Sequence, residues 1–239
     1  MAGVGLSDAG ATVVQLHQVG MRYGVAGEVL RDVDLALRAG SFHFLVGPSG
    51  AGKTSLLRLL SLSYPPSRGT IMLFGRDVSK LGRDEAGTVR RRIGVVFQDL
   101  RLLDHLSAFE NVALPLRIAG GSEIQIASYV TEMLSWLGIG EMLDVRPKSL
   151  SMGQRQLVAV ARAVVCRPSL LLADEPTSNL DPARAERLMH LFVQLHKLGT
   201  AVVFATHSQE LLRRYPFPVL SMEAGRLAVP RQPLLGAAE

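Results

Sequence analysis

Gly47-Pro48-Ser49-Gly50-Ala51-Gly52-Lys53-Thr54 fits the spacing G-x-x-x-x-G-K-[ST]. Glycines in such a run let backbone N–H groups curl around a phosphate, and a helix opening behind it adds partial positive charge. Lys53 can then reach the β- and γ-phosphates of a nucleotide, and the Thr54 hydroxyl can ligate Mg²⁺. A glycine turn between a strand and a helix is the plain alternative, although chance yields this pattern in a chain of 239 residues only about once in a hundred. A phosphate loop calls for an acidic residue at the end of a neighbouring apolar strand. Leu170-Leu171-Leu172-Ala173-Asp174-Glu175 supplies it. Asp174 can hold Mg²⁺ through water, while Glu175, one step on, points elsewhere and can accept a proton from, or orient, an attacking water. Two adjacent carboxylates after an apolar run are costly in a core unless a cation neutralises them; a solvated strand end is the other reading.

These residues need elements to hold them. The apolar run Phe42–Val46 leads into the glycine loop, and Ser55–Leu62 leaves it as a helix. Further strand-like runs are Thr12–Val19, Gly69–Phe74, Ile93–Phe97, Leu170–Asp174, Ala201–Ala205 and Val219–Met222. Several are continuously apolar, as strands buried on both faces of a partly parallel sheet should be. Between them, Leu157, Val160, Ala161 and Val164 make one stripe at helical spacing, and Leu188, Leu191, Phe192 and Leu195 make another. Strands alternating with helices predict an α/β fold. Residues up to about 45 read as an antiparallel β region, with turns at Gly24–Gly27 and Ala39-Gly40. From about Asp99 to Arg167 the pattern is mostly helical, and Pro230 to Glu239 reads as a loose tail.

Composition bounds the rest. Hydrophobic residues make up 48% and charged residues 20%, which excludes a disordered chain. The net charge of +5 fits an anionic ligand, a membrane face or a nucleic acid without choosing among them. Aromatics at 5% and the lack of a basic stretch interleaved with them disfavour nucleic acid. Arg90-Arg91-Arg92 and Arg213-Arg214 read as a solvated charged face or as contacts for an acidic segment or anionic lipid. The single cysteine, Cys166, excludes an internal disulfide and reads as a small buried hydrophobe. No leader is read at Met1 to Ala11, and the richest apolar run, Leu157 to Cys166, is broken by Arg162, so a soluble cytoplasmic protein is expected.

Leu150-Ser151-Met152-Gly153-Gln154, a long helix, then Asp174-Glu175-Pro176-Thr177 and Ser178-Asn179-Leu180-Asp181 resemble the ABC-family ATPase domain, over about Thr12 to Leu227. Ile93 to Leu103 and Asn111-Val112-Ala113-Leu114-Pro115-Leu116 resemble in particular its bacterial cell-division branch, with exporter and lipoprotein-releasing ATPases much alike. The resemblance implies a P-loop NTPase core of ABC type, with an antiparallel β subdomain and a helical subdomain. Its expected organisation is one ABC ATPase domain over 1–230. The β subdomain starts at about 12–45, the catalytic core takes about 47–98 and 168–227, and the helical subdomain takes about 99–167. A tail follows at 230–239. Gly47, Pro48, Ser49, Gly50, Ala51, Gly52, Lys53, Thr54 and Ser55 would cradle ATP. Thr54, Gln98 and Asp174 would hold Mg²⁺.

By the same resemblance Tyr23 stacks on adenine, Gln98 touches Mg²⁺ or the lytic water, and Glu175 acts as base. His207 contacts the γ-phosphate, and Asp181 bridges to a second subunit. Ser151, Gly153 and Gln154 would bind the γ-phosphate held by that subunit, in an ATP-dependent homodimer; Ser151 is equally a good N-cap. An integral membrane partner is implied, docked near Leu100, Leu102, Leu103, Leu106 and Phe109, placing the chain on the inner face of the plasma membrane. Other division proteins are further expected partners. A nucleotide-dependent scaffold with little hydrolysis is the reading from another class. Two departures stand out. Met152 takes the place of a glycine, which predicts slower turnover, and Ser208 follows His207 where relatives carry an acidic residue.

Overall fold

The continuously apolar runs become the middle of a parallel sheet, because only residues apolar on both faces can be covered by layers on either side. The computed structural model describes residues 10–25 and 27–231. The N-terminal stretch 1–9 and all but the first two residues of the tail read at 230–239 lie outside the described residues. The strands in chain order are β1 (Thr12–Arg22), β2 (Glu28–Arg38), β3 (Phe42–Val46), β4 (Arg68–Leu73), β5 (Arg76–Asp77), β6 (Ile93–Val96), β7 (Leu170–Asp174), β8 (Ala201–Ala205), β9 (Val219–Glu223) and β10 (Arg226–Arg231). The helices are α1 (Lys53–Leu60), α2 (Arg83–Arg91), α3 (Ala108–Ile118), α4 (Glu123–Trp136), α5 (Met152–Val164), α6 (Pro182–Lys197) and α7 (Gln209–Arg214).

Two sheets result, a four-stranded one in the order β2-β1-β4-β5 and a six-stranded one in the order β10-β9-β3-β8-β7-β6. The first is antiparallel throughout. In the second, β9, β3, β8, β7 and β6 run parallel, and only β10 is antiparallel. Phe42–Val46 therefore does not continue the antiparallel region read up to about residue 45. It pairs in parallel with β8 and β9, because its apolar side chains need cover on both faces. Where a tail was read from Pro230, backbone pairing of β10 with β9 continues to Arg231.

Alternation within the central strands divides the core. Leu170 and Leu172 of β7, with Val203 of β8 and Leu45 of β3, face the antiparallel sheet and α1. Leu171 and Ala173, with Val202, Phe204, Phe42 and Phe44, face Leu188, Met189, Phe192 and Leu195 of α6. A third cluster joins α3, α4 and α5 through Val112, Ile126, Val130, Leu134, Leu157, Val158 and Ala161. At roughly 1.5–3 kcal/mol for each large apolar side chain buried, this layering fixes the ends of β3, β6, β7 and β8 along one edge.

Candidate functional site

The carboxyl ends of the parallel strands are where an open α/β sheet presents its loops to a ligand. Here four of them deliver the residues read as reactive. β3 runs into the glycine loop, β6 into Phe97 and Gln98, β7 into Asp174 and Glu175, and β8 into Thr206 and His207.

The loop from Gly47 to Gly52 folds as a cradle because its glycines can. Gly47 has φ 151°, and a Cβ there would lie 2.2 Å from the carbonyl oxygen of Met222, so only a bare backbone fits between the loop and β9. Pro48, Ser49 and Gly50 are exposed, while Ala51, Gly52 and Ser55 are buried. Behind them α1 starts at Lys53, and its first-turn N–H groups have no partner within the helix. The Lys53 ammonium is folded over the cradle, donating to the carbonyls of Gly47 at 2.6 Å and Pro48 at 3.1 Å. Its positive charge thus sits over the loop that would receive a phosphate.

At the next residue, the Thr54 hydroxyl donates to Asp174 Oδ2 at 2.7 Å, joining positions 120 residues apart in the chain. Burial pushes the Asp174 carboxyl above its usual range, with the Thr54 hydrogen bond and the Lys53 charge pulling the other way. A cavity of about 290 Å³ opens beside this pair, lined by Thr54, Arg58, Phe97, Gln98, Asp99 and Asp174. The three residues expected to hold Mg²⁺ therefore lie around one space. Their donors are a hydroxyl, a carboxylate and an amide oxygen, the hard oxygens that Mg²⁺ takes, and a buried carboxylate strained by its own charge is what such a cation would relieve.

Glu175 lies next to Asp174 with φ 49°, a left-handed conformation costly for a glutamate and of the kind stored at functional sites. Its carboxylate is held from the end of β8, by His207 Nδ1 at 2.8 Å and by the Thr206 hydroxyl at 3.5 Å. The His207 side chain is 79% exposed and that of Glu175 only 15%, so the imidazole stands between the carboxylate and solvent. The Ser208 hydroxyl takes no part; it caps α7 by accepting from the Leu211 N–H.

Ser151 is the N-cap of α5, accepting from the Gln154 N–H at 3.2 Å while the Gln154 amide oxygen accepts from the Ser151 N–H at 2.8 Å. This reciprocal pair preforms an exposed helix start. Met152 is the first residue of α5, lies outside the set of residues with positive φ and is 48% exposed, so its side chain strains no backbone. Gly153 is different, because a Cβ there would lie 2.9 Å from the Asn179 carbonyl oxygen. Asp181, in the same segment as Asn179, caps α6 by accepting from the Arg184 N–H at 3.0 Å.

Tyr23 sits beside the first turn of α1, its hydroxyl donating to Ser55 Oγ at 3.2 Å and its ring meeting Tyr64 edge-on at 5.0 Å. Of the apolar residues expected to dock a partner, Leu100 is 7% exposed and is taken by packing, whereas Leu103 is exposed and Leu102, Leu106 and Phe109 are half-buried.

Two residues gain a place here that their types did not announce. Asn111 is fully buried and shapes the turn before α3, donating to the carbonyls of Leu103, Leu106 and Ser107 and accepting from the Leu103 N–H. Arg162 donates to the backbone just after Gln98. The sequence signal for it was present, an arginine interrupting an otherwise apolar helical run.

A family model described as ABC transporter matches residues 30–178. The cell division ATP-binding protein FtsE of Escherichia coli (strain K12) is 38% identical over 215 residues, covering 90% of this chain and 97% of that protein. The methionine import ATP-binding protein MetN of Cupriavidus metallidurans is 37% identical over 219 residues, covering 90% of this chain. The chain spans 64% of the length of that import protein. Among solved structures, the dimeric post-hydrolysis state of the ATP-binding cassette MJ0796 bound to ADP and Pi superposes with a TM-score of 0.86 at 31% identity, over 92% of this chain and 98% of that one.

Proposed function

The chain belongs to the ABC transporter family of ATPases, and from that premise we propose that it is the ATP-binding and ATP-hydrolysing subunit of an FtsEX-type membrane complex in bacterial cell division. One observation carries the site chemistry. The Thr54–Asp174 contact and the Glu175–His207 pair meet the glycine cradle at one edge of the sheet.

Lys53 leaves the Gly47 and Pro48 carbonyls for the β- and γ-phosphates, and the first-turn N–H groups of α1 receive the remaining phosphate oxygens. Tyr23 offers its ring to the adenine. Thr54, Asp174 and Gln98 would hold Mg²⁺, which would supply positive charge against the phosphates. Glu175 orients water for attack on the γ-phosphorus and takes its proton as the bond to the bridging oxygen breaks. His207 steadies the Glu175 carboxylate and contacts the γ-phosphate. Glu175→Gln keeps the shape and removes the base, so phosphate release is expected to fall on the order of a hundredfold or more while ATP still binds. Unchanged phosphate release in that variant would take Glu175 out of the base role.

The further parts of the reading are an ATP-dependent homodimer, with Ser151, Gly153, Gln154 and Asp181 facing the other copy's nucleotide, and an integral membrane partner resembling FtsX. That partner would hold the chain at the inner face of the plasma membrane and carry its state to cell-wall hydrolysis outside. No helix among the described residues is long and apolar enough to cross a membrane. The exposed Leu103 and half-buried Leu102, five and four positions after Gln98, support a docking groove there. A second reading, the ATPase of a transport system, is favoured by the methionine import relatives at nearly the same identity. Co-purification from membranes with identification of the membrane protein decides between them. A partner with a transport pathway would replace the cell-division reading.

A further inference from the structure

Leu100 and Arg101 have φ of 56° and 48°. Two consecutive non-glycine residues in the left-handed region need an outside constraint, since L side chains disfavour it. They follow Gln98 by two and three positions. One side chain from another element supplies such a constraint. Arg162 Nη1 donates to the Arg101 carbonyl and Nη2 to the Leu100 carbonyl, each at 2.7 Å. A planar guanidinium suits two neighbouring acceptors, where an ammonium is a single point charge.

Arg162 lies about three turns along the helix that Ser151 caps. Its surroundings are costly for a cation, because burial lowers its pKa and no carboxylate offsets the burial. A guanidinium held there for packing alone would be outdone by leucine or methionine. The helix it rides on is also pressed to the strand that delivers Gln98. At Gly94 of β6 an added Cβ would lie 2.2 Å from the Ala163 carbonyl oxygen, so backbone meets backbone beside Arg162. Past the clamp, the Arg101 side chain returns over the Phe97 ring at 3.9 Å and pairs with Asp99 at 3.1 Å. The segment from Phe97 to Arg101 is therefore one folded unit, held to α5 through the Arg162 guanidinium.

We propose that Arg162 is a positioning residue, which clamps the left-handed turn after Gln98 to the helix opened by Ser151. Gln98 then enters the cavity beside Thr54 and Asp174 only while α5 keeps its docked place. Whatever moves the Ser151 end moves Gln98 with it. This deepens the nucleotide-hydrolysis reading above and rests on it.

Arg162→Lys keeps the charge and removes the fork. At saturating ATP its kcat is expected to fall on the order of tenfold, with KM for ATP within about twofold, because positioning fails while the phosphate cradle is untouched. Hydrogen exchange should quicken at the amides of 98–103 and stay unchanged at 47–54. Leu100→Gly added to Arg162→Lys should restore part of the lost kcat, since glycine holds a positive φ without a clamp and the Arg101 contacts with Phe97 and Asp99 are kept. Retained kcat in Arg162→Lys overturns the proposal. So does a loss that spreads faster exchange over the whole chain, lowers the melting temperature and ignores Leu100→Gly. If the native chain itself releases no phosphate from ATP, the hydrolysis reading falls instead. The exchange pattern then decides the clamp alone, a local rise supporting it and an unchanged 98–103 overturning it.

Discussion

Asp174 ends β7 at 5% exposure, with Thr54 as its hydrogen-bond partner and burial holding its carboxyl above the usual range. A carboxylate whose folded pKa exceeds its unfolded one costs stability whenever it is ionised. That cost is fully present above the folded value and disappears below the unfolded one. Asp174→Asn keeps an acceptor for Thr54 and removes the charge. The nucleotide-free variant should therefore gain about 1 kcal/mol near neutral pH, on the usual scale of an active-site stability trade-off, and lose its Mg²⁺-dependent ATPase activity. Thermal melts across pH check the sign, because the advantage over the native chain should shrink as pH falls through the raised Asp174 value. An advantage that grows toward acid would mean that burial is not what perturbs this group. The types of Asp174 and Glu175 were legible as neighbours after an apolar strand. The left-handed turn at Glu175 and its grip by His207 were not, since that pairing closes only when β8 lies beside β7.

At the scale of elements, the helix from Met152 to Val164 couples three loops. Its start is capped by Ser151, its second residue lies against the Asn179 carbonyl, and its third turn holds the backbone after Gln98. Gly153→Ala would put a Cβ 2.9 Å from that carbonyl, a contact that only movement of the 178–181 segment or of the helix can relieve. We expect kcat to fall on the order of tenfold with nucleotide affinity of the single chain kept, measured by phosphate release and by binding of a fluorescent ATP analogue. Weakened nucleotide binding instead would place the effect in the cradle rather than in α5. Met152→Gly is the complementary change. Met152 strains nothing, so glycine there costs up to about 1 kcal/mol of helix stability, and any gain in turnover reports clearance at the helix start alone. Sequence patterning gave the strands of the parallel sheet nearly to the residue, because short continuously apolar runs of strand length suit positions buried on both faces. It missed that β3 leaves the antiparallel region, and it could not see Gly153 against Asn179, because close approach between segments distant in the chain leaves no periodicity.

For the whole molecule the open question is association. Both surfaces that a nucleotide-bridged pair needs are exposed in the single chain, namely Pro48 to Gly50 of the cradle and Ser151 with Met152 at the start of α5. The serine's side chain already satisfies the Gln154 N–H, so a bound anion would gain from the preformed helix start without reorganising it. Ser151→Asp separates capping from anion recognition. Aspartate caps as well as serine, so the fold and nucleotide binding at Lys53 should be kept. Its charge would sit where the other copy's phosphates arrive, and like charges there oppose closure. Sedimentation of Glu175→Gln with ATP and Mg²⁺ should show a dimer that is absent with ADP, and Glu175→Gln with Ser151→Asp should remain a monomer with ATP bound. A dimer that persists in the double variant would mean that the two copies meet through another face. Asp181 and Gly153 would then be left with roles inside one chain only.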